Sequence, residues 1–307
     1  MSNRVNITIL TGGFSNEREI SLLTAHQVAK ALSPSKYRVN IIDIKTAALA
    51  VSKISKLKSD VVYIALHGAF GEDGTLQTIL DAYNIRYTGS GPAASAIAMN
   101  KRLCSMLVKA SGILIPKQQI IFRNNQIIKS FSFPCIVKPN ASGSSVGVSL
   151  AHNKAQLNQC VTKAFKEDSA VLIEEYVLGR EFSCGVIGNQ EDELRALPPI
   201  EIIVPRKGLF GYKEKYFSKL TKEICPASIS LDLKEKIESI SKKAHKLLSC
   251  EGLTRSDFIF SRNKLYFLEI NTIPGQTATS LCPKEAAALG QSFPEFIEEQ
   301  VQLALKK

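Results

Sequence analysis

Apolar and polar positions along the chain fall into two alternating periods. Asn6–Leu10 has the continuous apolar character of a buried strand and ends in Gly12-Gly13. A helical period follows from about Asn16 to Leu32, with Ile20, Leu23, Val28, Ala31 and Leu32 as its apolar stripe and Ser15 as N-cap. Arg38–Ile44 reads as a second strand and the next Lys/Ser-rich stretch as a helix. Asp60–Ala65 reads as a third strand running into His67-Gly68. This β/α alternation predicts a parallel sheet with crossover helices.

The texture changes at the turn-rich joint Gly89-Ser90-Gly91-Pro92. A helix is expected from Asn100 to about Ala110, stopped by Gly112. A second α+β unit then contains strands at Pro134–Lys138 and Ala170–Tyr176, a helix near Lys154–Phe165, and the glycine-serine loop Gly143–Gly147. After Gly179 a third unit carries alternating strands and the basic aromatic segment Phe210–Tyr216. A helix at Leu233–Leu248 and paired strands at Leu253–Phe260 and Lys264–Asn271 complete it. The division expected is 1–92, an N-terminal α/β substrate domain; 93–178, a central domain; and 179–307, a C-terminal domain with the hairpin.

Composition narrows the class. Of 307 residues, 45% are hydrophobic and 22% charged, ordinary for a globular protein of two or three domains. No apolar run approaches the ~18 residues of a membrane span, and the short apolar start is read as strand rather than signal peptide. Seven scattered cysteines, never spaced C-x-x-C, suggest reduced thiols in a cytoplasmic protein rather than disulfides or a zinc site. The net charge of +11 raises a nucleic-acid partner. Its lysines are dispersed and no nucleic-acid motif accompanies them, so an anionic small substrate fits at least as well.

The last two strands carry the clearest chemistry. With Arg262-Asn263-Lys264 as a three-residue turn, Asp257 faces Glu269 and Arg255 faces Asn271, all four on one face. Phe258, Phe260, Tyr266, Leu268 and Ile270 then point into a core. Opposed carboxylates sit roughly 5 Å apart at Cβ and repel unless a cation intervenes. Asp257, Glu269 and Asn271 are hard oxygen ligands suited to Mg²⁺ or Mn²⁺. A solvated sheet face with an Arg–carboxylate pair is the alternative. Pro274-Gly275, which brings close-approach backbone beside the proposed ions, argues against it.

An Mg²⁺ site with open positions calls for phosphate. Gly143–Gly147 offers backbone N–H groups and serine hydroxyls, without the spacing of a P-loop, and Lys138 ends the preceding strand. Gly12-Gly13-Phe14-Ser15 likewise lacks the G-x-G-x-x-G dinucleotide spacing. Lys101 falls in the first turn of its helix, where a cation opposes the helix dipole. It is either a tolerated surface lysine or, with the exposed N–H groups, an anion holder.

Taken in order, these segments closely resemble the D-alanine–D-alanine ligases of the ATP-grasp superfamily over essentially the whole chain. The resemblance rests on Gly12-Gly13-x-Ser15-x-Glu17-Arg18-Glu19, His67-Gly68-x-x-Gly71-Glu72-Asp73-Gly74-Thr75, Val137-Lys138-Pro139 and Gly143-Ser144-Ser145-Val146-Gly147. It continues through Glu181-Phe182, Lys215-Tyr216, Arg255-x-Asp257-Phe258, Glu269-x-Asn271-Thr272-x-Pro274-Gly275 and Ser280-Leu281-x-Pro283. It implies an ATP-grasp fold, mixed α/β, with ATP gripped between the central and C-terminal domains. The implied reaction phosphorylates the carboxylate of one D-alanine, and the amine of a second attacks the acyl phosphate to give the peptidoglycan dipeptide. Two Mg²⁺ or Mn²⁺ ions would sit on Asp257, Glu269 and Asn271. Lys101, Lys138, Ser145 and Lys215 would contact phosphates, and Glu174 and Glu181 the adenine and ribose side. Arg255 and the Gly275 N–H would face the tetrahedral oxyanion. Glu17 would pair with the first substrate's ammonium and, through Ser144 and Tyr216, join the N-terminal domain to two loops. His67 would lie near the substrates, and Ser280 and Leu281 would receive the second carboxylate. Tyr216 favours an amine over a hydroxy-acid acceptor, and a homodimer is implied.

Departures from the family pattern are Phe210, Gly211, Gln276 after Pro274-Gly275, and Thr24-Ala25. None touches a proposed metal ligand or lysine. Two other readings compete: an ATP-grasp carboxylate–amine ligase with a different amino-acid or hydroxy-acid acceptor, and a nucleotide- or nucleic-acid-binding protein without turnover.

Overall fold

Val5–Gly12 (β1), Tyr37–Ile44 (β2) and Val61–Ile64 (β3) form a parallel sheet in the order β2-β1-β3. The structure is a computed structural model that describes residues 4–15, 17–124, 131–141, 143, 147–191, 193–204 and 221–307. Helix α1 (Arg18–Ala31) crosses one face of this sheet, and the expected stripe holds in part: Val28 and Leu32 are in the core, Leu23 is not. The helix buries Ser21, Thr24, Ala25 and Val28, whereas Leu22 and Leu23 are 39% and 47% exposed. Small side chains let the helix approach closely. The Ser21 hydroxyl accepts from Gly12 N at 2.8 Å and donates to Ala65 O at 2.7 Å. Ser15 is not the N-cap: that position is Glu17, while the Ser15 hydroxyl donates to His67 O at 2.8 Å. Helices α2 (Ala47–Ile54) and α3 (Thr75–Ala82) close the other face over Leu10, Ile44, Ile54, Leu76 and Leu80.

Pro92–Met99 (α4) and Lys101–Ala110 (α5) lead to a four-stranded antiparallel sheet. Its strands are Gln118–Phe122 (β4), Cys135–Pro139 (β5), Ser149–Ala151 (β6) and Ala170–Glu175 (β7), in the order β4-β7-β5-β6. Helix α6 (Lys154–Ala164) packs Leu157 and Val161 on Val137 and Ile173.

The third sheet is antiparallel and runs β11-β10-β8-β12-β13, with β9 also paired to β8. Its strands are Arg180–Ile187 (β8), Arg195–Ala196 (β9), Ile200–Ile203 (β10), Lys222–Ile224 (β11), Leu253–Ser261 (β12) and Lys264–Asn271 (β13). Helix α7 (Leu231–Leu247) and α5 bury Phe182, Phe258 and Phe267 beneath it. Leu281–Ala287 (α8) and Phe293–Leu305 (α9) turn back, so that Cys282, Phe296 and Val301 join the core of the N-terminal sheet with Ile7, Ile9 and Tyr63. That shared core brings the first and third sheets together around the site.

The hairpin differs from the expected one in its turn. Arg262 and Asn263 both have positive φ, 47° and 59°, making a two-residue turn in which Ser261 pairs with Lys264. From the tip, Phe260 faces Leu265 and Phe258 faces Phe267. The register then shifts, and Asp257 faces Glu269 and Arg255 faces Asn271. Leu268 is the extra residue of a bulge. Leu265 and Phe267 therefore hold the core positions expected for Tyr266 and Leu268, which are only half-buried. Without the bulge, strict alternation would carry Glu269 onto the core face with Phe267.

Among the described residues no helix is long and apolar enough to cross a membrane. All seven cysteines are unpaired thiols.

Candidate active site

The three sheets meet at one cleft. Its wall takes Glu17 and His67 from the N-terminal sheet's loops, Lys138, Gly143 and Glu174 from the central sheet, and Arg255, Asp257, Glu269, Asn271 and Gly275 from the hairpin and its exit. Lys101 and Glu181 also line it. Apolar side chains from two sheets, Ile136 with nearby Val148 and Ile259 with Leu268, line the cleft together with Glu174–Val177. These apolar residues are absent from the sequence-based site, because an isolated Ile, Val or Leu on a strand carries no signal apart from core. The bulge, invisible to a two-residue period, delivers Leu268 to the cleft.

Charges at the cleft are paired, within strand β12 and between elements. Arg255 makes a bidentate contact with Asp257, Nε to Oδ1 and Nη2 to Oδ2 both at 2.9 Å, and the Ser183 hydroxyl donates to Asp257 Oδ1. Asp257 is only 7% exposed, so the hairpin face is not the solvated surface of the alternative reading, although its Arg–carboxylate pair is present. Burial opposes the Arg255 charge, but the Asp257 carboxylate outweighs it and raises the pKa. Lys101 Nζ lies 3.5 Å from Glu269 Oε2. The first N–H groups of α5, invoked in one of the two readings of Lys101, are already bonded within the protein. Lys101 N and Arg102 N donate to the Asn140 backbone and side-chain oxygens, and Leu103 N donates to the Asn100 side chain. Asn140, which directly follows β5, thus caps α5 from another element and leaves the Lys101 ammonium to face the hairpin.

Lys138 and Glu174 occupy adjacent strands, β5 and β7, and meet at 2.7 Å with both side chains buried. Burial works against the Lys138 charge, yet Glu174 and Glu269 raise its pKa overall. The ammonium is therefore held charged inside the cleft.

At the N-terminal edge, His67 Nδ1 lies 3.5 Å from Glu72 Oε1, and both residues are buried. Desolvation disfavours imidazolium there, but Glu72 and Glu17 raise the His67 pKa. Glu72 belongs to the quoted His67–Thr75 segment without a role of its own, and the structure adds it to the cleft. Gly143 fits between the two acids. A Cβ placed on it would lie 3.1 Å from Glu17 Oε2 and 3.6 Å from Glu72 Oε2.

Ser280 and Leu281 begin α8 just beyond this wall. The Ser280 hydroxyl accepts from Thr277 N at 3.2 Å, and its Oγ would lie 3.0 Å from a Cβ on Gly275. Behind the hairpin, sequence reasoning missed Glu285. It is fully buried and accepts from Gly185 N at 2.9 Å, and burial pushes its carboxyl up to about 8. Ser144, Ser145, Lys215 and Tyr216, with Phe210 and Gly211, lie outside the described residues.

The donor chemistry suits a hard divalent cation: two carboxylate side chains face each other across a bulged hairpin, with an amide alongside. Among the described residues no three His, Cys, Asp or Glu side chains gather as a metal cluster. The amide beside the two carboxylates, Asn271, is oriented by its Oδ1, which accepts from Ile273 N at 2.9 Å.

The family model for the C-terminal part of D-Ala–D-Ala ligases matches residues 110–302, and that for the N-terminal part matches residues 45–90. The D-alanine–D-alanine ligase of Desulfotalea psychrophila is 39% identical over all of this chain and 97% of its own length. That of Syntrophobacter fumaroxidans is 40% identical over 99% of each chain. Among solved structures, the Bacillus anthracis D-alanine–D-alanine ligase complexed with ATP superposes with a TM-score of 0.85 at 28% identity, covering 98% of this chain and 97% of that one. The VanG D-Ala:D-Ser ligase of Enterococcus faecalis gives 0.87 at 29% identity, covering 98% and 100%. With family models matching residues 45–90 and 110–302 and relatives matched at full length, this chain has the ATP-grasp fold and belongs to the D-alanine–D-alanine ligase family.

Proposed function

We propose that the protein joins two D-alanine molecules at the expense of ATP, releasing ADP and phosphate and supplying the peptidoglycan dipeptide in the cytoplasm. One observation carries this reading. A single cleft brings together a paired carboxylate hairpin, two buried or half-buried lysines, the Glu17–His67–Glu72 group and apolar side chains from two sheets.

Those apolar side chains suit a flat base, with Glu174 and Glu181 in the same cleft for the nucleotide. Lys138 and Lys101 offer point charges to its phosphates. Asp257, Glu269 and Asn271 would hold Mg²⁺ or Mn²⁺, two ions per site, to neutralise the β- and γ-phosphates. Glu17 binds the ammonium of the first D-alanine, near His67. An oxygen of that substrate's carboxylate attacks the γ-phosphorus and ADP departs. The second amine, having lost a proton, attacks the carbonyl carbon of the acyl phosphate. Arg255 and the Gly275 N–H stabilise the tetrahedral oxyanion, and phosphate leaves with the oxygen it captured. Ser280 and Leu281 receive the acceptor carboxylate. Ser144, Ser145, Lys215 and Tyr216 keep the roles the family resemblance gives them, as do the homodimer and the three-domain division.

The VanG ligase favours a second reading, since its name pairs D-alanine with D-serine. A panel of D-alanine, D-serine, D-lactate and L-alanine with ATP separates the two. Phosphate release highest with D-alanine alone is expected. Equal rates with L-alanine, or a clear preference for D-serine as acceptor, would refute the D-alanine assignment.

A further inference from the structure

Gln276, one of the departures from the family pattern, is buried in the loop that follows β13, next to Gly275 of the cleft wall, and its partner lies on the N-terminal sheet. The Tyr63 hydroxyl on β3 donates to Gln276 Oε1. Tyr63 is fully buried and burial pushes its pKa upward, so the phenol keeps its proton and stays a donor. Two residues on, Ala278 N donates to the Gln27 side chain of α1 at 2.7 Å. The segment also bonds to itself: Thr277 Oγ1 and Ser280 Oγ are 2.8 Å apart. Gly275, in the wall of the cleft, directly precedes Gln276, and Ser280 ends the same loop.

We infer that Tyr63 and Gln276 form a positioning pair that fixes the Gly275–Ser280 loop against the N-terminal sheet, and so sets how well the acceptor amino acid fits. This rests on the ligase reading, in which that loop faces the second D-alanine. Neither residue touches the reacting atoms; both act through the backbone between them. The physical basis is the asymmetry of buried hydrogen bonds. Removing one partner strands a polar group in the core, whereas replacing both by apolar groups of similar size is close to neutral.

The test is a substitution cycle of Tyr63→Phe, Gln276→Met and the double variant. The two D-alanine sites are resolved kinetically, and amide hydrogen exchange is followed over residues 272–280. Each single variant is expected to raise the acceptor KM roughly tenfold, leave the donor and ATP KM within about twofold, and speed exchange in that segment. The double variant should recover both readouts. An unchanged acceptor KM in the single variants, equal shifts at both D-alanine sites, or a double variant as impaired as the singles would overturn the inference. If the unaltered chain released no phosphate with D-alanine, the ligase reading and the acceptor role would fall together. The exchange data would then still show whether the pair holds the loop.

Discussion

Asp257 faces Glu269 across the hairpin because Leu268, unpaired between Phe267 and Glu269, shifts the register by one residue. The two carboxylates share the cleft face through that bulge, and each has a cation from the protein beside it, Arg255 and Lys101.

Asp257→Asn or Glu269→Gln should therefore lower kcat by roughly 10²-fold or more, as for loss of a group that stabilises transition-state charge. Steady-state kinetics alongside circular dichroism checks this. Wild-type turnover by a folded variant would remove the hairpin from the mechanism.

Lys138→Met leaves the buried Glu174 without its partner. Breaking a buried pair from one side costs about 3 kcal/mol or more, and the phosphates lose a point charge. Urea denaturation should show the loss of stability, and calorimetry should show weaker ATP binding. Unchanged values for both would mean that the pair is not the buried cation site described.

Glu285 gives a pH signature. Its folded-state pKa of about 8 lies above the ordinary carboxyl value, so the native chain binds the proton more tightly than the unfolded chain. That contribution is complete below about pH 4 and is lost as pH rises toward 8, so stability should fall with pH across this window. Glu285→Gln keeps the shape without the ionisation. It should flatten the dependence of Tm on pH between about 5 and 8 and raise Tm at the upper end. An identical slope in both proteins would assign it to other groups.

Gly143→Ala places a methyl group 3.1 Å from Glu17 Oε2, closer than a side chain tolerates unless the carboxylate moves. The donor D-alanine KM should rise roughly tenfold through misplacement of its ammonium partner, with little change in ATP binding. An unaltered donor KM would show that Glu17 does not position this substrate.

Much of the site is legible from residue type and spacing, for identifiable reasons. Asp257, Glu269 and Asn271 lie on one face in a two-residue period, and their pairing is correctly expected at the site. It follows there from a three-residue turn, however, whereas the molecule combines a two-residue turn with a bulge. Local sequence does not distinguish these two routes to one register. The stripe of helix α1 is right at Val28 and Leu32 and wrong at Leu23: size suggests Leu23 as buried, while close packing on a parallel sheet selects Ser21, Thr24 and Ala25. Lys101 does line the cleft, but its neighbouring N–H groups are satisfied by Asn140, 38 positions from Arg102, a tertiary contact no local pattern encodes. The same holds for Tyr63 with Gln276 and for Glu285 with Gly185, whose partners are set by how sheets and helices stack.

The central claim is that this cleft makes an acyl phosphate from a D-alanine carboxylate, and oxygen transfer tests it most directly. D-alanine labelled with ¹⁸O in its carboxylate is incubated with ATP and Mg²⁺, and the released phosphate is analysed by mass spectrometry. One labelled oxygen should appear in phosphate for each dipeptide formed. Phosphate without label, released whether or not dipeptide forms, would contradict the account.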